Sequence, residues 1–596
     1  MKNLFLSILL LFVIIVTVFG DNKDKSFASS DFEIVNSIQF DVSKIPFSCY
    51  GSYLSLIAQN QQSGSQELSL YDLTGNILFD PNKRILKIAP VLAEELVPVS
   101  YEGSPVELKG IIKDGNFNIY YENPRILHIC AEKADIQLSG NWGNEILPVP
   151  GYPMSYMLYN KNIILTAKTG KINFSRNDQE EMIRLERDNQ GKLDIVIEQY
   201  YGDWMPKHYT ENKDQSVSKL TKNFADWYRK VPSMPDKYEA PKKLAAYINW
   251  SCIHEPRENM TRYGMAMSKG HMSYIWSWDH CFNAMGLSYH YPSLSWDQLM
   301  IMFDHQNPET GAIPDLISSE SIAWKFKKPP IHGWTLSLLT KQFKLSKAQK
   351  QEAYTKLSKW TNYWLICRDT DKNGLPQYYH GCDSGWDNGS AFDTGTPAEG
   401  PDLAAFLILQ MEELSILAEQ LSYPKEAKEW KAKSRELMDK MIKTFWNGKK
   451  FVTRRTSDGM VNTKSQSLMS YLPIVLGKRL PDNIYKKMVE DLKIEGYLLT
   501  PYGLASESPQ SPTYHTDGYW QGPIWAPTIV IICQGLRDGG EEELARMIAE
   551  RYCNTCLKSG FSENFDALTG KLLRDSSYTW TSSAFLVLAH EYLNSK

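Results

Sequence analysis

From about Phe32 to Asp203 the hydrophobic positions alternate with polar ones in short runs. Phe117, Ile119 and Tyr121 share one side of one run, and Leu193, Ile195 and Ile197 share one side of another. Turn-forming clusters separate the runs, among them Thr74-Gly75-Asn76, Lys113-Asp114-Gly115 and Asn189-Gln190-Gly191. A period of two broken by such turns predicts an antiparallel β-sandwich. Between Met205 and Pro241 the chain becomes polar, with one helix-like piece carrying Phe224, Trp227 and Tyr228, followed by Pro232, Pro235 and Pro241. This reads as a linker over 206–241.

Beyond Pro241 the apolar spacing changes to three and four. Ala353, Leu357, Trp360, Trp364 and Cys367 fall on one helical face, as do Ala427, Trp430, Leu437, Met441 and Phe445. Pro401 and Pro424 suit the first turn of helices, and Gly539 and Gly560 suit stops. The 355 residues of 242–596 provide about 30 for each of twelve helices with their loops. A ring of helix hairpins is affordable on that count, although an irregular helical domain would give the same sum. The expected organisation is a processing segment over 1–20, a β-sandwich over 21–205, the linker, and an all-α domain over 242–596.

Composition narrows the function. With 596 residues, 42% hydrophobic and 22% charged, the chain is long enough for two packed domains and too apolar for disorder. Its 65 basic and 69 acidic residues leave a formal charge of -4 without a basic block, which disfavours a nucleic-acid partner. Fourteen of the 17 tryptophans lie after residue 240, in about three-fifths of the chain, so a ligand held by aromatic rings is expected there.

The N-terminus has Lys2, an apolar stretch from Leu4 to Phe19, and small residues at Val18 and Gly20. This is the pattern of a signal peptide cleaved ahead of Asp21, and it predicts an exported protein, periplasmic or secreted, without a membrane span after cleavage. Nine cysteines spread over so long a chain make no disulfide framework. Cys553-Asn554-Thr555-Cys556 lies near the end of a helical pattern and reads as two packed thiols.

Four junctions between helical stretches place aromatic rings beside carboxylates. They are Tyr274-Ile275-Trp276-Ser277-Trp278-Asp279-His280, Cys382-Asp383-Ser384-Gly385-Trp386-Asp387-Asn388-Gly389-Ser390, Asp517-Gly518-Tyr519-Trp520-Gln521-Gly522-Pro523-Ile524-Trp525, and Gly560-Phe561-Ser562-Glu563-Asn564-Phe565-Asp566. A sugar presents a C–H face that stacks on indole and paired hydroxyls that donate to carboxylates. Asp387 sits beside Trp386, which would shield it from water and favour the protonated form that a general acid needs. Pro523 is expected to start a helix. Each carboxylate alone is more often a solvated loop residue or a helix cap; four such loops at successive junctions point to a carbohydrate site.

Trp278-Asp279, Ser384-Gly385-Trp386-Asp387-Asn388, Tyr519-Trp520-Gln521-Gly522-Pro523-Ile524-Trp525 and Phe561-Ser562-Glu563-Asn564-Phe565 together resemble glycoside hydrolase family 63 and its relatives. Those include α-glucosidases and the mannosylglycerate and glucosylglycerate hydrolases, with trehalases more distant. Pro329-Pro330-Ile331-His332-Gly333-Trp334 and Tyr578-Thr579-Trp580 are similar in kind and order. The resemblance spans roughly residues 220 to 596. It implies an (α/α)6 barrel, an inverting α-glycosidase most plainly suited to α-glucosides, Asp387 as general acid and Glu563 as general base. It also implies Asp279 on the hydroxyls of the cleaved sugar, walls from Trp276, Trp278, Trp386, Trp520, Trp525 and Trp580, and contacts from Asn388 and Gln521. The family often carries Arg where Gln521 stands, which puts the substrate more than the reaction in question. Inversion needs the two carboxyls about 6.5–9.5 Å apart, and 176 positions of chain around a closed barrel permit that.

The chemistry implied needs no cofactor. Asp369, Asp371 and Asn373 have the one-three-five spacing of a calcium loop with Gly374 at six, but His380 stands at position twelve, so Asx turns in a tight loop are the leading reading and a structural Ca²⁺ the alternative. The expected partner is an oligosaccharide or small glycoside. Two other functions fit the same barrel: a glycoside phosphorylase, for which a phosphate-binding loop is missing, and a sugar-binding protein that has lost catalysis yet kept both carboxylates.

Overall fold

A computed structural model describes residues 29–75, 81–143, 145–176 and 180–594; the expected signal segment over 1–20 lies outside them. The chain divides into two compact units. The first comprises residues up to Cys49 together with Leu56–Tyr71 and Arg84–Lys230, and the second Tyr50–Ser55, Asp72–Lys83 and Val231–Lys596.

Two antiparallel sheets form the sandwich region. A nine-stranded sheet runs from Phe40–Asp41 at one edge through Ser100–Gly103, Glu107–Ile112, Gly115–Asn123, Ile126–Glu132, Lys192–Gln199, Ile163–Thr169 and Tyr152–Leu158 to Ile146–Val149. The other contains Lys171–Arg176, Glu181–Glu186, Asp135–Gly140, Arg84–Leu92, Gln66–Asp72 and Leu54–Asn60 in that order, with Glu95–Leu96 paired to Arg84–Leu92. Alternation sorts the side chains as the sequence implies: Phe117, Ile119, Tyr121, Leu193, Ile195 and Ile197 are all buried.

The segment expected as a linker is largely something else. Lys213–Lys230 forms helix α1, whose Phe224, Trp227 and Tyr228 are buried and which packs against the strand Gly115–Asn123. An amphipathic helix with so large an aromatic face has to cover apolar surface, so the first unit extends to Lys230.

The second unit is helical. Six elements pack in succession: α3 (Asp279–Ser288), α5 (His332–Gln342), α7 (Pro401–Gln420), a 3₁₀ stretch Leu468–Arg479, α10 (Ala526–Gly539) and α12 (Thr579–Leu593). Each packs on the next, and α12 packs back on α3, so the buried helices follow one another in a ring. Before α3 lies α2 (Glu239–Ser251), and between the six in the chain lie α4 (Pro292–Asp304), α6 (Lys347–Asn362), α8 (Pro424–Phe445), α9 (Asp482–Leu492) and α11 (Glu542–Ser559). All ten residues of α3 are buried, against six of 22 in α8, whose buried set includes Ala427, Trp430, Leu437, Met441 and Phe445. α3 therefore has no exposed polar face, whereas α8 shows the amphipathic period of an outer helix. A buried polar ladder joins α2, α3 and α12: Asn249 Nδ2 donates to Ser583 Oγ (3.2 Å), Ser583 Oγ to Asn283 Oδ1 (3.1 Å), and Asn283 Nδ2 to Thr579 Oγ1 (2.8 Å).

Three local expectations shift. Cys367 is exposed because α6 widens into a π turn over Tyr363–Cys367, which rotates the following residues off the buried face. Gly539 is the last residue of α10, and the left-handed cap is Gly540 (φ 97°). Pro523 does not start α10. Ile524 pairs as extended chain with Phe565 (N···O 2.7 and 3.1 Å), which delays the helix to Ala526. All nine cysteines are unpaired thiols, with Cys553 and Cys556 buried in α11.

Candidate active site

The site lies at the N-terminal ends of the ring helices, where the four aromatic–carboxylate loops meet. One cleft is lined by Met272, Trp276, Trp278, Asp279, Lys328, Gly385, Asp387, Tyr519, Trp520, Glu563, Tyr578 and Trp580. Its non-atom space, open mouth included, is about 410 Å³. A larger cavity at the C-terminal ends of the same helices is lined by residues such as Trp334, Leu409 and Leu417, and none of the four loops reaches it.

Asp279 opens α3, with Trp278 as its N-cap residue. Trp276 precedes them in a short strand paired with Leu316. The loop carrying Asp387 lies directly on Trp278: a Cβ at Gly385 would come within 2.5 Å of the indole, and the positive φ of 75° at that residue also calls for glycine. Buried Asp383 holds this loop to neighbouring chain, accepting from Lys327 N (2.8 Å), Tyr379 N (2.8 Å) and Arg368 Nη1 (2.9 Å). Glu563 is held through its backbone. Its N donates to Asp575 O (2.7 Å), and its carbonyl accepts from Trp580 Nε1 (3.0 Å).

The expected wall residues separate into two groups. Trp276, Trp278, Trp520 and Trp580 line the cleft. Trp386 and Trp525 are fully buried and pack against Trp520 from outside the lining, with ring centroids 4.6 and 4.1 Å away. Asn388 and Gln521 are staples between loops. Asn388 Nδ2 donates to Gly518 O (2.9 Å), Trp520 N donates to Asn388 Oδ1 (2.9 Å), and Gln521 Nε2 donates to Asn388 O (2.8 Å). Lys328, Tyr519, Tyr578 and Met272 complete the lining without having been singled out from the sequence. Both tyrosines stood inside the aromatic runs and Lys328 directly before Pro329-Pro330, but no spacing marked them.

The carboxylates differ in environment. Glu563 is 6% exposed, and a backbone hydrogen bond from Asp575 is a minor stabiliser of its carboxylate. Burial first, and then the charge of Asp575, push it up to about 8, against an opposing pull from Arg574. Asp279 is pushed up to about 7 by burial, against the opposing charge of Lys328. The shielding of Asp387 expected from Trp386 does not occur: the indole is buried under Trp520, whereas the Asp387 side chain is 33% exposed and lies 3.7 Å from Lys328 Nζ.

In the expected calcium loop the side chains hold the loop itself. Asp369 accepts from Asn373 N (3.1 Å) and Gly374 N (3.0 Å), Asp371 from Asn373 Nδ2 (2.8 Å) and Gln377 Nε2 (2.8 Å), and Asn373 Oδ1 from Leu375 N (2.7 Å). The bond from Leu375 N to Asn373 Oδ1 is an Asx turn; the others are further ties within the loop. Elsewhere, potential metal-ligand atoms of His280, Cys281 and His332 lie within 4.8 Å of one another in the core behind Asp279. His280 there bonds through Nδ1 to Trp276 O (2.9 Å).

Carboxylates from separate loops, walled by tryptophan and tyrosine in one open cleft, are the chemistry of a carbohydrate site. Comparison with known proteins gives the family. Residues 272–581, more than half of the chain, match the mannosylglycerate hydrolase MGH1-like glycoside hydrolase domain, and the protein belongs to that glycoside hydrolase family. It is 20% identical over 408 residues to mannosylglycerate hydrolase MGH1 of Selaginella moellendorffii, covering 54% of this chain and 80% of that one. It is 20% identical over 419 residues to the glucosylglycerate hydrolase of Mycolicibacterium hassiacum, covering 52% and 91%. A bacterial glucoamylase structure shares the fold across 93% of this chain and 94% of its own, with a TM-score of 0.58 at 11% identity.

Proposed function

We propose that this protein is a hydrolase of small α-glycosides that inverts the anomeric carbon, with its helical ring acting as an (α/α)6 barrel. The observation that carries this reading is that Asp387 and Glu563 line one cleft together with Asp279 and four tryptophans. Asp279 accepts from hydroxyls of the sugar while Trp276, Trp278, Trp520 and Trp580 pack on its faces. Asp387, from the more open side, protonates the leaving oxygen. Glu563, ionised, takes a proton from water, whose oxygen adds to the anomeric carbon as the glycosidic bond breaks. The family relatives named for glycosides of glycerate put α-glucosyl- and α-mannosylglycerate first among candidate substrates. The leader-like pattern over 1–20 supports action outside the cytoplasm.

One observation favours exchanged roles. Glu563 is the carboxyl held protonated by burial, at about 8, while Asp387 faces an ammonium. An α-glycosyl fluoride distinguishes the two, because fluoride leaves without a proton. The assigned roles predict that Asp387→Asn keeps substantial turnover of the fluoride and Glu563→Gln does not; the reverse outcome exchanges them. Proton NMR of the first product completes the test. A β-anomer is expected from an α-glycoside, and an α-anomer or a sugar phosphate would overturn inverting hydrolysis.

A further inference from the structure

The core behind Asp279 gathers three side chains that can hold a metal. His280 and Cys281 follow Asp279 in the first turn of α3, and His332 opens α5. All three are fully buried, and one potential ligand atom of each lies within 4.8 Å of the others. His280 Nδ1 bonds to Trp276 O (2.9 Å), the backbone of Leu299 also faces this ring, and Nε2 lies 3.9 Å from Cys281 Sγ. His332 is served less well. The backbone of Ser277 acts on it, but neither ring nitrogen reaches hydrogen-bonding geometry, and the rings of Phe303 and Trp360 pack against it with centroids 5.2 and 6.1 Å away. A neutral imidazole carries one N–H and one lone pair, and burying both without good partners costs stability.

We propose that this cluster binds one copper ion, as Cu⁺, through His280 Nε2, Cys281 Sγ and a ring nitrogen of His332. Two imidazoles and one thiolate in a trigonal arrangement are a ligand set of protein copper sites. The bond to Trp276 O orients the His280 ring and leaves Nε2 its lone pair, as an outer hydrogen bond does for a metal-bound histidine. An equilateral triangle of 4.8 Å side has its centre about 2.8 Å from each corner, so shifts of less than about 1 Å give metal–nitrogen and metal–sulfur lengths of about 2.0 and 2.3 Å. Without the ion, the Cys281 thiol points its proton at His280 Nε2. On binding, that proton leaves to solvent, sulfur and Nε2 turn their lone pairs to the metal, and the thiolate charge cancels that of Cu⁺. No electron is transferred, because copper enters as Cu⁺. Zn²⁺ fits less well: closed zinc sites take four ligands, and a divalent ion on one thiolate leaves a net positive charge in the core while the carboxylate of Asp279 lines the cleft. The bound ion ties the N-terminal ends of α3 and α5 together, one residue behind Asp279.

The test titrates full-length, reduced, metal-free protein with Cu⁺ held by bicinchoninate, anaerobically, in wild type, Cys281→Ser and His332→Gln. The wild type is expected to take up one equivalent more than either variant, which keep only what other thiols such as exposed Cys367 hold. X-ray absorption of the wild type loaded with one equivalent should show two imidazole nitrogens and one sulfur around copper. Loading should raise the melting temperature of the wild type and not of Cys281→Ser. The same titration with Zn²⁺ should give no difference between wild type and variants. Equal Cu⁺ uptake by wild type and a folded Cys281→Ser protein, or copper surrounded by sulfur alone, would overturn the proposal, and a wild-type-specific equivalent of Zn²⁺ without Cu⁺ would overturn the choice of ion. If the variants do not fold, the X-ray absorption of the wild type decides by itself. A calcium chelator does not remove an ion bound through a buried thiolate, so this site and the loop over 369–374 respond separately. The copper site stands or falls independently of the hydrolase reading, since no glycoside enters the measurement.

Discussion

Two clusters of buried ionisable groups, one in each unit, are built on opposite plans. In the sandwich, His128 is fully buried between two carboxylates, with Nδ1 2.9 Å from Asp194 Oδ1 and Nε2 3.1 Å from Glu122 Oε2. Tyr120 stacks on its ring at 4.8 Å, and Lys168 lies 3.5 Å from the other oxygen of Asp194. Burial alone would pull the imidazole down, but the two carboxylates outweigh it and the pKa is raised, while Asp194 is lowered in return. At the cleft, Glu563 and Asp279 are buried with few compensating donors, and burial raises both. Paired groups of opposite charge rigidify a core. Like-charged groups left short of partners cost stability and are retained where a ligand supplies what is missing. The first cluster is thus read as structural and the second as functional.

The sharpest way to break that contrast is to neutralise one member of each. Glu563→Gln is expected to lower kcat/KM by about a thousandfold with a melting temperature equal to or above wild type, because a carboxyl whose ionised form is penalised by burial is removed. A clear loss of stability with retained activity would make Glu563 structural. His128→Gln should do the opposite. Leaving two part-buried carboxylates without their cation costs about 2 kcal/mol, seen as a lower melting temperature, while kcat/KM of the folded enzyme stays within about twofold of wild type.

The pH dependence sharpens the comparison further. His128 has a folded pKa above its unfolded value, so its contribution is complete below about 6.5 and disappears as pH rises through the folded value. The difference in melting temperature between wild type and His128→Gln should therefore shrink toward alkaline pH; a constant difference would mean that the histidine is not charged. At the cleft, a general base at about 8 predicts a kcat/KM that rises with pH toward 8. Asp575→Asn removes the neighbouring negative charge and should move that rising limb to lower pH by less than about one unit; an unmoved limb would assign it to another group. The smallest effect concerns Asp369, Asp371 and Asn373. With their side chains engaged within the loop, a chelator should leave the melting temperature unchanged, and a drop would establish a structural metal.

The contrast also indicates which features could be read from the chain. The outer helix α8 was legible because its six buried positions recur at helical spacing around one face. Residues 213–230 looked like linker because the segment is polar overall, and its aromatic face acquires meaning only against a strand about a hundred residues earlier. In the site, Asp279, Asp387 and Glu563 were visible because carboxylates beside aromatics at helix junctions are unusual locally. The sequence could not separate Trp520, which faces the cleft, from Trp386 and Trp525 behind it.

What this sequence determined by itself was periodicity and chemical kind: a β region, a helical region, and four loops that set carboxylates beside aromatic rings. The tertiary structure alone decided direction and partnership. Asn388 and Trp520 are 132 positions apart and hydrogen-bonded, and Lys328 meets Asp387 from a different loop. Periodicity constrains a residue relative to its own helix or strand, whereas a loop side chain is aimed by bonds to distant chain that no local pattern encodes. For the same reason the charge on Lys328 was plain in the sequence, and its place beside Asp387 became visible only in the fold.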